Sequence, residues 1–257
     1  MLEKNSIRYL ASPLLSSFEG VGHAFLSRAK GVSPAPFDSL NLSASNGDSG
    51  ENVGRNFELL KGALGVHRGN LFAIRQVHGS DVMVAEDFAG GGQTAPEADA
   101  AITARRGAAV GVLTADCLPV LLYDPVKRAA GAAHAGWKGT VKRVSVKTVE
   151  AMIKRFGSRP GDIRAALGPC IGPCCYTVGE DVAGEFSGFP EALSGGSGQA
   201  RLDIAAVNVS QLVFAGLRRE NITGAGACTA CENGLFFSYR KDNGRTGRQL
   251  SFIMLKG

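Results

Sequence analysis

The sequence predicts an α/β fold with a mixed β-sheet, and three features carry that prediction. Short apolar runs of strand length recur along the chain, separated by turns rich in glycine and proline. Amphipathic segments with helical spacing occur singly between these runs. Several strands follow one another with only a tight turn between them, as hairpins do. Because no linker divides the 257 residues, a single domain over 1–257 is expected.

The first half of the chain supplies several of the predicted strands. Strand-like runs occur at residues 23–27, 71–77, 81–85 and 108–113, with 98–103 as a strand or short helix. The runs 71–77 and 81–85 are expected to pair with each other. An amphipathic helix is predicted over 53–64, ended by Gly65. A flexible loop is expected at 90–93.

The second half begins with the clearest hairpin and contains the clearest helix. The apolar run 118–123 is broken by Asp124-Pro125 and returns as 129–133. Helices are predicted at 141–156, 178–186 and 204–219, and strands at 163–167, 228–231, 236–240 and 250–255.

Three side chains that can bind a metal lie at predicted strand ends. Antiparallel pairing of the hairpin brings Cys117 and His134 together, and His78 ends the run 71–77. Two imidazoles and a thiolate suit a zinc site that leaves one position open for water or substrate. Copper accepts the same donors. Three alternatives stay open: a hidden fourth ligand, a metal-free Cys117–His134 dyad with a nucleophilic thiolate, and ordinary packing of both residues.

Further polar residues near loops and strand ends are candidates for substrate contacts: Arg28, Asn41, Gln76, Asp116, Lys138 and Arg240. Arg28 and Lys138 are the cations expected to hold an anion, and Lys138 follows His134 by four positions. Cys228 and Cys231 have the spacing of half a zinc knuckle. Since the sequence contains no second pair of cysteines with that spacing, we expect Cys228 and Cys231 to serve in packing.

Composition argues against several classes of function. The net charge of +5 is spread along the chain, without the basic stripe of a nucleic-acid-binding protein. No apolar run approaches the length of a membrane span, and the N-terminus does not resemble an export signal. Six cysteines in such a chain are expected to be thiols or metal ligands. A cytoplasmic location is therefore expected. The sequence leaves open whether the protein is a monomer or a small homo-oligomer.

Three short motifs stand out along the chain: Gln-Val-His-Gly at 76–79, Thr-Ala-Asp-Cys-Leu-Pro-Val at 114–120 and His-Ala-Gly-Trp-Lys-Gly at 134–139. Together they resemble the YfiH family, whose members are called laccase-domain proteins, multicopper polyphenol oxidases or purine nucleoside phosphorylases. The resemblance implies a central β-sandwich flanked by helices, like that of cysteine-hydrolase-like toxins. It also implies zinc held by His78, Cys117 and His134, which would be the catalytic residues.

The resemblance further implies an activity on purine nucleosides and phosphate. Adenosine, inosine and methylthioadenosine would be cleaved to base and ribose 1-phosphate, and adenosine would also be deaminated. Arg28 matches an arginine that the family carries before Gly-Gly-Val-Ser, although this chain has Lys30 at the first glycine. Copper-dependent oxidation is disfavoured, because a laccase cluster needs more imidazoles than the four histidines here. A metal-free cysteine hydrolase and a zinc-bearing binding protein remain the other hypotheses.

Overall fold

Two six-stranded β-sheets form the centre of the computed structural model, which describes residues 1–88, 95–195 and 199–257. The strands of the first sheet, in spatial order, are β1 (Leu2–Lys4), β2 (Ile7–Leu10), β3 (Val21–Leu26), β15 (Gln249–Leu255), β7 (Ala109–Thr114) and β4 (Leu71–Phe72). Those of the second are β14 (Ile222–Gly224), β10 (Arg164–Leu167), β8 (Leu118–Asp124), β9 (Ala129–Ala135), β6 (Ala100–Thr103) and β5 (Val82–Val84). A small third sheet contains β11 (Thr177–Val178), β13 (Ala200–Leu202) and β12 (Leu193–Ser194).

The sheets are mixed, as the sequence predicted. Most neighbouring strands are antiparallel, whereas β4 with β7, β5 with β6 and β10 with β14 are parallel. The two large sheets pack face to face through an apolar core that includes Val112 and Ile253 from the first and Leu121 and Ala132 from the second. This arrangement confirms the expected sandwich.

Helices cover both outer faces of the sandwich. The helices are α1 (Pro13–Ser16), α2 (Gly50–Leu64), α3 (Trp137–Val141), α4 (Val144–Phe156), α5 (Glu180–Glu185) and α6 (Ile204–Phe214). Helix α2 buries Phe57 and Leu60 against the first sheet. Helices α4 and α6 bury Met152 and Leu212 against the second sheet, so each sheet is shielded from water on both faces. No helix within the described ranges combines the length and apolar character needed to cross a bilayer.

The hairpin of β8 and β9 follows the sequence closely. Pro119 pairs with His134, and the strands run antiparallel through to Asp124 and Ala129. The Asp124 carboxylate accepts from the amides of Val126 at 2.8 Å and Lys127 at 3.0 Å, which closes the turn. These bonds explain why an Asp-Pro pair ends one strand and starts the return.

Several predicted elements differ from the structure. The strand predicted at 71–77 ends at Phe72, and β5 pairs with β6 in the other sheet, so the predicted pairing of 71–77 with 81–85 is wrong. The helix predicted at 141–156 begins at Val144, because Arg143 adopts a left-handed φ of 59° that separates α4 from the short α3. The late strands predicted at 228–231 and 236–240 are turns. The loop expected at 90–93 lies outside the described residues.

Candidate active site and metal centre

Cys117 and His134 come together because of the hairpin register. Cys117 directly precedes β8, and His134 lies near the end of β9, opposite Pro119. Side chains alternate between the faces of a strand, and both residues share the parity of Leu121 and Ala132, which face the other sheet. The thiol and the imidazole are therefore on the inner side of the second sheet, at its rim.

His78 reaches the same rim from a loop, which corrects the prediction that it ends a strand. The chain leaves β4 at Phe72 and crosses from the first sheet to the second before β5. The Gln76 side-chain amide donates to the Leu113 carbonyl and accepts from the Leu113 amide, both at 2.8 Å, which fixes this loop to β7. His78 itself has a left-handed φ of 57°, a conformation that costs roughly 1–2 kcal/mol outside glycine.

Asp99 compensates for that strain and connects His78 with His134. It is fully buried immediately before β6, and its carboxylate accepts from the amides of Val77 at 3.1 Å, His78 at 3.0 Å and Gly79 at 2.6 Å. The same carboxylate lies 2.8 Å from Nδ1 of His134. Burial alone would raise the pKa of Asp99, but its hydrogen bonds with His134 and Gly79 hold that pKa below the usual value.

One ligand atom each from His78, Cys117 and His134 lies within 4.8 Å of the other two. The two imidazole rings are 4.9 Å apart between centroids. Gly136 permits this closeness, because a Cβ at that position would lie 2.9 Å from the Cys117 sulfur and 3.3 Å from the His78 ring. Gly136, two positions after His134, is thus required for space beside these three side chains.

The cluster favours a charged thiolate beside a charged imidazole when no metal is bound. Burial would raise the pKa of Cys117, but His134 and His78 outweigh that effect and lower it to about 6. Burial would lower the pKa of His134, but Cys117 and Asp99 raise it to about 9. A divalent cation would neutralise the thiolate and replace the imidazole proton.

The three side chains fit zinc by the chemistry of their donors. Because Nδ1 of His134 is held by Asp99, its Nε2 is the nitrogen left to bind a metal. Carboxylate–histidine pairs of this kind orient zinc ligands and increase their basicity. Within the described residues the group contains three side chains and no fourth, as in catalytic zinc sites with an open position.

The cluster opens into a cavity of about 870 Å³, within the size range of small-molecule sites. Its wall is partly aromatic and partly cationic: Trp137, Tyr176, Tyr239, Arg75, Arg240 and Arg248. Arg240 stacks on Tyr176 at 5.5 Å and Arg248 on Tyr239 at 5.6 Å, measured from guanidinium carbon to ring centroid. The cavity therefore offers both stacking surfaces and positive charge close to the ligands.

Three of the predicted substrate residues line this cavity: Gln76, Asp116 and Arg240. Gln76 is engaged with Leu113, as described above. Asp116 accepts from the Thr229 hydroxyl at 2.6 Å and from the Arg240 amide at 2.7 Å, so both carboxylate oxygens are bonded. Of these three residues, Arg240 is the one whose charged side chain is exposed at the cavity.

The other three predicted substrate residues lie elsewhere. Arg28 borders a separate depression, where it pairs with Asp38 at 3.3 Å and Asp242 at 3.4 Å. Asn41 is fully buried, and its amide oxygen accepts from the Arg248 amide at 2.9 Å. Lys138 is exposed, with its ammonium 5.4 Å from the centre of the Trp137 ring. Their positions match structural or surface roles, and none of the three lines the cavity.

Sequence reasoning missed Asp99 and Arg248. Asp99 stands at the start of the apolar run 98–103, and an acid at the edge of a buried strand is rare unless it has partners. An acid at this position therefore indicates that Asp99 has hydrogen-bond or charge partners in the fold. Arg248 belongs to the Thr-Gly-Arg segment at 246–248, but nothing in the local sequence connects that segment with His134. Its position depends on β15 pairing with β7, which is a long-range contact.

Comparison with known proteins identifies the family of the chain and supports its fold. The family described as multi-copper polyphenol oxidoreductase laccase matches residues 22–256. The chain belongs to this laccase family. A crystal structure of the YfiH protein of Bacillus licheniformis superposes with a TM-score of 0.88 at 35% identity, covering 97% of this chain and 99% of that one. YlmD of Geobacillus stearothermophilus gives a TM-score of 0.89 at 33% identity, covering 98% and 96%.

A relative of this laccase family carries a different functional name. A protein of Deinococcus radiodurans, 41% identical over 91% of this chain and 89% of its own length, is called purine nucleoside phosphorylase. Of the four histidines, all of which lie within the described residues, His78 and His134 line the cavity and the other two do not. His23 accepts from the Ser12 amide at 2.8 Å and His67 from the Gly69 amide at 3.0 Å. Two imidazoles are fewer than a multicopper cluster needs.

Proposed function

We propose that the protein is a zinc-dependent purine nucleoside phosphorylase that acts through the cavity beside His78, Cys117 and His134. The observation that carries the proposal is a three-ligand group, oriented by Asp99, at the edge of an aromatic and cationic cavity. Zinc bound there would supply Lewis acidity near the reacting centre. Relatives named purine nucleoside phosphorylase support the choice of substrate.

The cavity wall divides by chemistry into two parts. The aromatic rings of Trp137, Tyr176 and Tyr239 suit stacking against a purine. Burial and the nearby Cys117 raise the pKa of Tyr176 to about 12, so its hydroxyl remains a hydrogen-bond donor at neutral pH. The guanidinium groups of Arg240 and Arg248 suit phosphate, because arginine binds its oxygens in pairs. These two arginines replace Arg28 and Lys138 as the proposed phosphate contacts.

Two reactions follow from this assignment. In phosphorolysis, a phosphate oxygen forms a bond to C1′ of the ribose while the bond from C1′ to the purine nitrogen breaks, giving base and ribose 1-phosphate. In deamination, water replaces the amino group of adenosine, giving inosine and ammonia. Adenosine, inosine and methylthioadenosine are the proposed substrates. The arginines are needed for the first reaction, since the second consumes no phosphate.

A panel of nucleosides, assayed with and without phosphate on protein of known zinc content, tests the proposal. We expect ribose 1-phosphate from adenosine and inosine, and 5-methylthioribose 1-phosphate from methylthioadenosine, only when phosphate is present. Ammonia from adenosine should appear under both conditions. Absence of base release from every nucleoside, in protein that carries zinc, would contradict the proposal and favour a binding protein without turnover.

A metal-free cysteine hydrolase is the second candidate, and one observation favours it. Asp99, His134 and Cys117 form a chain of acid, base and thiolate, and the pKa of Cys117 is lowered to about 6. Such a thiolate is a nucleophile at neutral pH. This candidate requires hydrolysis that is independent of phosphate and insensitive to a zinc chelator. The phosphorylase requires cleavage that depends on phosphate and is abolished by the chelator.

A further inference from the structure

A second group of metal-binding side chains lies apart from the cavity. The sulfurs of Cys174, Cys175, Cys228 and Cys231 are all within 4.8 Å of one another. Cys231 lies 3.5 Å from Cys174 and 3.4 Å from Cys175, sulfur to sulfur. Four sulfurs around one zinc, with bonds of about 2.3 Å, stand roughly 3.8 Å apart. The observed spacing is close to that arrangement.

The fold builds this cluster by extending a strand pair. Strands β10 and β14 are parallel, and the chain beyond each end stays hydrogen bonded to the other. The Ala225 amide donates to the Leu167 carbonyl at 2.9 Å, and the Thr229 amide donates to the Cys170 carbonyl at 3.0 Å. Residues more than fifty positions apart are thus held side by side, and a turn follows on each segment.

The two turns present their cysteines to each other. In the first, the amides of Cys175 and Tyr176 both donate to the Gly172 carbonyl at 2.9 Å. In the second, the Glu232 amide donates to the Cys228 carbonyl at 2.9 Å. The Cys228–Cys231 pair therefore does find two partner thiols, but from adjacent cysteines in the first turn. The expectation that these cysteines serve only in packing rested on the lack of a second spaced pair.

A backbone amide gives an independent indication of a metal–thiolate site. The Gly172 amide donates to the Cys228 sulfur at 3.2 Å. Such bonds to ligand sulfurs orient and tune thiolates in metal centres. Cys170 provides a contrast within the same segment, because it is buried and lies outside the group of four. Two members of the group, Cys174 and Cys231, are exposed at the surface, where free thiols are prone to oxidation.

We propose that Cys174, Cys175, Cys228 and Cys231 bind one zinc ion as a closed, structural tetrathiolate site. Binding releases the thiol protons and joins the two turns. The first turn contains Tyr176, which lines the cavity. The second turn contains Thr229, whose hydroxyl donates a hydrogen bond to Asp116, the residue before Cys117. The ion would thereby stabilise one side of the cavity. The proposal does not depend on the phosphorylase assignment.

Zinc analysis of a Cys117→Ala variant tests the proposal directly, because that change removes the other metal group. Protein produced with added zinc and purified under reducing conditions should retain about one zinc per chain. The double variant Cys117→Ala/Cys231→Ser should lose this zinc. The double variant Cys117→Ala/Cys170→Ala should keep it. Cobalt bound to Cys117→Ala should give the intense charge-transfer and tetrahedral ligand-field absorption of a tetrathiolate site.

Three results would overturn the proposal. The first is Cys117→Ala protein that holds no zinc although mass spectrometry shows four free thiols at these positions. The second is a disulfide among the four cysteines in zinc-free protein isolated without reductant, with no zinc uptake after reduction. The third is iron bound at the site in place of zinc. The zinc measurement on Cys117→Ala does not rely on the Cys231→Ser variant being able to fold.

Discussion

Two cysteine-containing clusters lie among the described residues, and they differ in the number and the type of side chains that could bind a metal. The cavity cluster has three ligands, two of them imidazoles, and is oriented by the buried Asp99. The surface cluster has four thiols on two turns and no imidazole. Three ligands leave a position for substrate, whereas four thiolates close the coordination sphere. On the two proposals made above, the first cluster carries out chemistry and the second stabilises the fold.

The largest expected effect separates the two clusters by mutation. Cys117→Ala should reduce phosphorolysis by more than about a hundredfold, because even loss of a group behind a metal ligand costs ~10–100-fold. Cys231→Ala should leave activity within a few fold of the parent at low temperature but lower the thermal midpoint. Initial rates and thermal unfolding of both variants measure this. Equal loss of activity in the two variants would contradict the separation of a catalytic cluster from a stabilising one.

Asp99→Asn tests whether the cavity cluster depends on its buried acid. The asparagine keeps the size of the side chain but removes the charge that faces His134. We expect zinc affinity and kcat/KM to fall by about 10–100-fold, the range for groups that orient zinc ligands. Asp87→Asn is the control, because Asp87 is an exposed partner of Arg155. Comparable losses in both variants would mean that Asp99 has no special role.

Arg248→Ala tests the proposed phosphate contact. A hydrogen bond to a charged group contributes ~1.5–3 kcal/mol, so the KM for phosphate should rise by about tenfold or more. Zinc content and adenosine deamination should change little. Lys138→Ala is the matched control, since Lys138 is exposed and does not line the cavity. A rise for Lys138→Ala alone would restore the assignment made from the sequence.

The smallest effect is a shift in the pH dependence of Cys117 reactivity. In protein stripped of zinc, Cys117 has a pKa of about 6, so its thiolate forms as the pH rises through 6. Alkylation of Cys117, followed by mass spectrometry of its peptide, should be half-maximal near that pH, whereas an ordinary thiol reacts at pH ~8.5. Half-maximal reaction at the ordinary value would show that His134 and Cys117 do not form an ion pair.

The sequence was most informative where the deciding contacts are local. The hairpin of β8 and β9 is encoded by two apolar runs and an Asp-Pro turn, so the meeting of Cys117 and His134 could be predicted. The position of His78 could be predicted only in part. Its loop is fixed by the bond of Gln76 to Leu113 in the first sheet and by the bond of the His78 amide to Asp99 beside the second sheet.

The contacts that the sequence did not reveal join distant segments. Asp99 reaches His134 because β6 pairs with β9, and Arg248 reaches the cavity through β15. The four-cysteine cluster depends on the parallel pairing of β10 with β14, which no local pattern encodes. Pairing between distant strands is set by the packing of the whole sandwich. Motif spacing along the chain could not supply it.

A chelator titration of the wild-type protein tests the central claim most directly, with zinc content, phosphorolysis and thermal midpoint read on the same samples. The open three-ligand cluster should release its ion first. Phosphorolysis should therefore disappear while the zinc of the four cysteines and most of the thermal stability remain. Added zinc should restore phosphorolysis. Full activity after the cavity zinc has left, verified in Cys231→Ser protein that carries no other zinc, would contradict the account.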